Sequence, residues 1–188
     1  GADAYRLAGT EKSPGTRLFC LSGHVGDPGV YEVPMGVTLG DIIELAGGAT
    51  GITKAILMGG AAGSFIGPDQ LDMPLTQEDS RERGTTLGSG VITLFDDSVD
   101  FTALVTRITE FFKGESCGQC VPCRVGTTRQ HEVIVEMGRT GGHLPAARRE
   151  LIDDMALAMA DASICGLGHT AAGAVQSAIR LGLIGVTS

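Results

Sequence analysis

Between Thr16 and Phe95 the apolar positions come in short runs rich in β-branched residues: Thr16 to Leu21, Val30 to Val33, Ala55 to Met58 and Val91 to Phe95. Glycine and proline punctuate them, and runs of this length and composition predict strands. One interval follows a different rule. In VTLGDIIELAGG, Ile42, Ile43 and Leu45 supply an apolar face, Thr38 can cap, Asp41 stands at the third helical position and Gly47 stops the helix. A β-β-α-β order with later short strands predicts a small sheet wrapped on one helix, a β-grasp-like unit.

Past this region the period changes to about 3.6 residues. Phe101, Leu104, Val105, Ile108, Phe111 and Phe112 line one stripe, started by Asp96-Asp97-Ser98 and ended by Gly114. A second helix is expected from Arg124 to Met137. A third begins near Pro145, a favoured first-turn residue, with Leu151, Ile152, Met155 and Met159 inward. A fourth runs from Thr170 to Leu181 with Ala171, Val175, Ala178 and Ile179 inward. Four short helices with glycine-bearing connections predict an antiparallel four-helix bundle. The fold class is therefore α+β, with the boundary near Ser98 and no internal repeat or low-complexity segment.

With 43% hydrophobic and 19% charged residues among 188, the chain can bury a sizeable core. A formal charge of -8 gives no basic footprint, so phosphate-backbone binding lacks its main driving force and nucleic acid is not the expected partner. No apolar run approaches the roughly 20 residues of a membrane helix, and GADAYRLAGTEKSPG lacks the basic-then-apolar layout of a signal peptide. The expectation is a cytoplasmic protein without direct membrane insertion.

The strongest chemical signal is ESCGQCVPCRVG, which spaces Cys117, Cys120 and Cys123 three residues apart, with Cys165 of ASICGLGHT 42 residues further on. On a regular helix a step of three residues advances roughly 300°, so these thiols would fan apart. The triplet needs a looped backbone around a compact object. Gly118 permits that curvature, and Pro122 can open the helix that Arg124 continues. CxxCxxC with one remote cysteine is the usual ligand set of a [4Fe-4S] cluster. Structural zinc sites tend instead to pair two CxxC-type clips. A four-cysteine zinc site, a disulfide set and a thioredoxin-like dithiol at Cys117 and Cys120 are the alternatives, the last without a βαβ context.

An anionic cluster favours nearby cations, backbone amides and helix N-termini. Lys113, Arg124 and Arg129 are the candidate cations, against a plain solvated helix face for Arg129. The amides of Gly166, Leu167 and Gly168, following Cys165, are candidate donors to the cluster's sulfurs.

Several other patterns carry less. Gly166-x-Gly168-x-x-Ala171 matches a dinucleotide fingerprint, but a helical pattern rather than a strand precedes it. The segment GGAAGSFIGPDQ lacks the GK[ST] ending of a phosphate cradle and is read as turn chemistry. His24, His131, His143 and His169 share no spacing with carboxylates, although His169 lies near enough to Cys165 to bond beside a cluster. Cys20 is read as a buried small hydrophobe, and Asp96, Asp97 and Asp100 as loop and cap residues.

ESCGQCVPCRVG with ICGLG, together with GTRLFCLSGHV, PGVYEVPMGVTL, ILMGGAAGSFI and LGSGVITLFDDS, closely resembles the flavin-carrying, NADH-oxidising subunit of respiratory complex I. It is equally similar to the diaphorase subunits of NAD-reducing hydrogenases and NAD-dependent formate dehydrogenases. The resemblance spans essentially the whole chain and is specific to the superfamily rather than to one member. It implies an SLBB domain over 14–97 and a [4Fe-4S]-binding bundle over 98–188, with 1–13 a linker from an upstream domain. Cys117, Cys120, Cys123 and Cys165 would be the ligands. The family's upstream glycine-rich segments for FMN and NAD(H) have no counterpart here, so both cofactors are expected on that domain or on a partner chain.

The resemblance further implies three partners: the flavin- and NADH-binding domain or chain, a thioredoxin-like [2Fe-2S] subunit and a larger multi-cluster iron-sulfur subunit. Together they would form a peripheral arm on the cytoplasmic face of a membrane. The implied function is electron transfer between FMN and further iron-sulfur centres, with no catalytic residue in this chain. The rival of another class is a ligand- or partner-binding module whose metal site is only structural.

Overall fold

The computed structural model describes residues 1–185, and the chain divides into two compact units, 1–98 and 99–188. In the first unit the elements are α1 (Ala2–Tyr5), β1 (Thr16–Gly23), β2 (Gly29–Pro34), α2 (Leu39–Leu45), β3 (Thr53–Met58), β4 (Ser64–Ile66), α3 (Gln77–Glu82) and β5 (Val91–Asp96). The strands form one five-stranded sheet in the order β2-β1-β5-β3-β4. β1 and β5 pair in parallel, and the other neighbours are antiparallel.

Alternation along the strands decides which side is buried. Phe19, Leu21, Val33, Ile56, Met58, Ile92 and Leu94 share a core with Leu39, Ile42 and Ile43 of α2. Cys20 stands out of register with that set and is only half-buried, which corrects its reading as a core residue. A capping box starts α2: Thr38 Oγ1 accepts from the Asp41 N–H at 3.1 Å, and Asp41 Oδ2 accepts from the Thr38 N–H at 3.2 Å.

Two elements were not legible as such. The glycine-rich segment read as turns contains β4, flanked by two 3-10 turns, Gly60–Ala62 and Pro68–Gln70. α3 is capped by Thr76, whose Oγ1 accepts from the Asp79 N–H at 3.0 Å. Residues 1–13 lie within this unit: the Tyr5 hydroxyl donates to the Thr16 carbonyl at 2.8 Å and the Ser13 hydroxyl to Glu78 at 2.7 Å.

The second unit contains α4 (Phe101–Glu115), α5 (Val121–Arg139), α6 (Ala146–Ala162), α7 (Gly166–Thr170) and α8 (Gly173–Arg180). α4 packs on α5 and α8, and α5 on α6 and α7. Phe101, Val105, Ile108, Phe112, Val133, Ile134, Ile152, Met159, Val175 and Ala178 are buried. The expected stripe needs correcting at Phe111, which is 50% exposed, because consecutive helical residues lie about 100° apart and Phe112 takes the inward place. Leu151 of α6 is likewise exposed, at 37%.

The helix ends differ from expectation as well. Of the three aspartates read as loop and cap residues it is Asp100 that caps α4, its carboxylate accepting from the Ala103 N–H at 3.0 Å, so the helix starts later than Asp96–Ser98. Pro145 caps α6 instead of entering its first turn, and α5 starts at Val121, one residue before Pro122. The expected fourth helix, Thr170 to Leu181, is α8, and a break at Ala171 and Ala172 separates it from the additional short helix α7. At the break the buried Gln130 side chain donates to the Ala171 carbonyl at 2.9 Å, drawing that acceptor away from the helical ladder.

Candidate metal centre

α4 leaves its helical path at Ser116, and the chain from Cys117 to Gln119 loops before α5 begins. Gly118 makes the loop possible: its φ of +81° lies in the left-handed region that side-chain-bearing residues avoid. The Arg124 guanidinium folds back and donates to the Gly118 carbonyl at 2.5 Å, bracing the loop and leaving a cation beside it. Cys120 is the N-cap residue of α5 and Cys123 lies within its first turn. Neither thiol-bearing end is closed by a side-chain cap, and the same holds for α7, where Cys165 is the N-cap. Helix N-termini without side-chain caps therefore stand at Cys120 and Cys165.

The remote loop docks against the triplet. The Ile164 N–H donates to Cys120 Sγ at 3.5 Å, bridging 44 residues of sequence. Gly168 is buried against Cys123: a Cβ placed on it would stand 3.2 Å from Cys123 Cβ and 2.1 Å from Ser163 Oγ. The Ser163 carbonyl accepts from His169 Nε2–H at 2.7 Å, which ties the loop to α7. Of the predicted site residues the structure thus joins Cys120, Cys123, Gly118, Arg124 and the Cys165 loop with Gly168. Gly166 has open space around it.

Other candidates lie elsewhere. Arg129 is paired with Glu132 at 2.6 Å on an exposed face, and Lys113 sits in the last turn of α4. His131 bonds Thr109 at 3.1 Å, and His24 stands against Asp96 at 3.5 Å. Gly166-x-Gly168-x-x-Ala171 is α7 itself, preceded by a helix, so no strand-turn-helix cradle exists there.

All five cysteines are free; Cys117 and Cys165 are exposed, Cys120 is half-buried and Cys123 buried. Among the described residues no three His, Cys, Asp or Glu side chains are arranged to hold one metal ion. In a cubane each thiolate binds a different iron, so the sulfurs surround a volume instead of meeting at a point. Four soft thiol donors, open helix N-termini and a braced cation fit an anionic group of that kind. Ser116 and Ser163 also touch this site and were not singled out in the sequence, where a serine beside a cysteine carries no signal of its own.

Residues 103–181 match the model of the NADH-ubiquinone oxidoreductase-F iron-sulfur binding region, and residues 18–60 that of the SLBB domain. The NADH-quinone oxidoreductase F subunit of Mycobacterium tuberculosis is 40% identical over 184 residues, covering 96% of this chain and 40% of the relative. Its counterpart in Streptomyces coelicolor, carrying the same description, is 35% identical over 182 residues, with 96% of this chain and 40% of the relative covered. The chain thus spans about two fifths of these relatives' length. The crystal structure of an NAD+-reducing [NiFe]-hydrogenase in the H2-reduced state matches with a TM-score of 0.84 and 36% identity, over 96% of this chain and 30% of that one. Among the described residues no helix is long and apolar enough to cross a membrane.

Proposed function

We propose, from the match of residues 103–181 to the NADH-ubiquinone oxidoreductase-F iron-sulfur binding region and of residues 18–60 to the SLBB domain, that this chain is the electron-transfer module of an NAD(H)-dependent oxidoreductase complex. A [4Fe-4S] cluster, when bound, supplies a one-electron relay. Cys117, Cys120, Cys123 and Cys165 hold it as thiolates. The observation that carries this reading is the seating of the Cys165 loop on the triplet through the Ile164–Cys120 hydrogen bond and the Gly168–Cys123 contact.

Each neighbouring group has a physical task. Gly118 turns the loop so that Cys117 and Cys120 need not fan apart. Arg124 fixes that turn and contributes positive charge beside it, and the first-turn N–H groups of Gly166, Leu167 and Gly168 add positive potential next to Cys165. Burial of Cys123 keeps water from that ligand, while Cys117 and Cys165 are exposed and open to a partner. No side chain here transforms a substrate. FMN and NAD(H) belong to an upstream domain or a separate chain.

The proposed neighbours are that flavin unit, a thioredoxin-like [2Fe-2S] subunit and a larger multi-cluster iron-sulfur subunit, in a cytoplasmic peripheral arm. The likeness to an NAD+-reducing hydrogenase supports a diaphorase setting as the second reading.

The test is anaerobic purification, quantification of iron and acid-labile sulfide, and EPR after dithionite reduction. Four irons per chain and a reduced-state signal abolished in Cys165→Ala are expected. Stoichiometric zinc without a signal would replace the redox module by a zinc-held binding domain. FMN binding and NADH oxidation by this chain alone would show that the catalytic half is not elsewhere.

A further inference from the structure

We propose that Ser116 and Ser163 are a pair of hydroxyl donors flanking Cys123 that raise the reduction potential of the cluster bound there, an inference that rests on the cluster reading above. Ser116 Oγ lies 3.4 Å from Cys123 Sγ, within reach of an O–H···S hydrogen bond. In a free thiol either atom can donate. Once Cys123 is a ligand its sulfur carries no proton, so the hydroxyl donates.

Ser163 is engaged everywhere except at its hydroxyl. Its N–H donates to the Met159 carbonyl at 3.2 Å and its carbonyl accepts from His169 at 2.7 Å, yet Oγ, on a residue only 9% exposed, has no protein partner. The side chain stands against Gly168, which also faces Cys123: the point where a Gly168 Cβ would stand is 2.1 Å from Ser163 Oγ and 3.2 Å from Cys123 Cβ. A buried hydroxyl without a partner is costly, and an anionic sulfur beside Cys123 supplies the missing acceptor.

Helix capping does not account for either residue. Serine is favoured at N-caps, where Oγ accepts from first-turn amides, whereas Ser116 and Ser163 stand at the C-terminal ends of α4 and α6. A hydrogen bond donated to a ligand sulfur stabilises the more negative, reduced form over the oxidised one. Each hydroxyl removed therefore shifts the equilibrium toward oxidation.

The experiment is an EPR-monitored redox titration of the anaerobically purified chain, with iron counted in every sample. Ser163→Ala and Ser116→Val are each expected to retain four irons and to lower the reduction equilibrium constant about tenfold, which is about 59 mV for one electron. Ser116→Thr, which keeps the hydroxyl in the shape of valine, should titrate like the unmodified chain. If Ser163 is only structural, Ser163→Ala removes an orphaned polar atom, raises thermal stability and leaves the potential unmoved; that result overturns the proposal. Iron lost from Ser116→Val but kept in Ser116→Thr supports the hydroxyl's role, and iron lost from both overturns it. Zinc in the unmodified chain would remove the cluster reading itself, whereas four irons with immobile potentials removes only the serine pair.

Discussion

Replacing Gly168 by alanine tests whether the Cys165 loop is held by close backbone packing. The new Cβ would stand 2.1 Å from Ser163 Oγ and 2.5 Å from Ser163 Cβ. Rotating the serine side chain relieves the first overlap but not the second, because its Cβ is carried by a backbone anchored to Met159 and His169. The loop must move away from Cys123. Overpacking at such a site costs up to about 3 kcal/mol. Alanine returns about 1 kcal/mol in a helix relative to glycine, leaving a net loss of about 2 kcal/mol. For a unit the size of residues 99–188 this lowers the midpoint of thermal unfolding by roughly 8–16 °C.

Gly166→Ala is the matched control. It lies in the same five-residue helix with nothing within 4 Å of the added atom, so it should be neutral or stabilising by roughly 0.4–1 kcal/mol. Circular dichroism melts under anaerobic conditions, with iron counted before each melt, distinguish the two. Equal midpoints and equal iron content for both variants would refute the claim that Ser163, Gly168 and Cys123 form one tight contact.

Two further outcomes follow from local geometry. Gly114 sits in α4 with open space around it, so Gly114→Ala should stabilise the second unit by roughly 0.5–1 kcal/mol in a chemical melt. In the first unit the Ser13 hydroxyl, donating at 2.7 Å, is the main cause that holds the Glu78 carboxyl below the ordinary glutamate range; the Glu78 backbone N–H and Lys12 add to it and desolvation opposes it. A depressed carboxylate stabilises the fold fully above its ordinary value, about pH 4.3, and that contribution is lost as pH falls through the depressed one. Ser13→Ala should therefore cost stability at neutral pH and flatten the acid limb of the pH-stability curve; an unchanged limb would show that this bond does not couple to folding.

The cysteine spacing by itself pointed to a candidate four-thiol site, because three thiols at intervals of three fan apart on a helix and so call for a loop, and a loop from Cys117 to Gln119 is what the structure has. Periodicity likewise sufficed for β1, β2, β3, β5 and α2, where strand alternation and a capping box are local events. β4 escaped because three residues between glycines carry too little periodicity, and the split between α7 and α8 because its cause is Gln130, some 40 residues upstream. Phe111 and Phe112 are equally apolar in sequence, and only the packing of α4 on its neighbours decides which of them is buried.

What the chain alone determined, then, is the identity and number of the candidate sulfur donors and the helical or extended nature of the segments around them, since both follow from residue type and spacing. The tertiary structure decided which segments meet: that Ile164 bonds Cys120, that Gly168 closes on Cys123, that Ser116 Oγ stands 3.4 Å from the Cys123 thiol, and that the Ser163 hydroxyl is left without a partner beside Gly168. Those contacts join residues as far as 45 positions apart, and no local propensity encodes them; they arise when α7 is packed against α5 and the loop between α6 and α7 is drawn over the triplet.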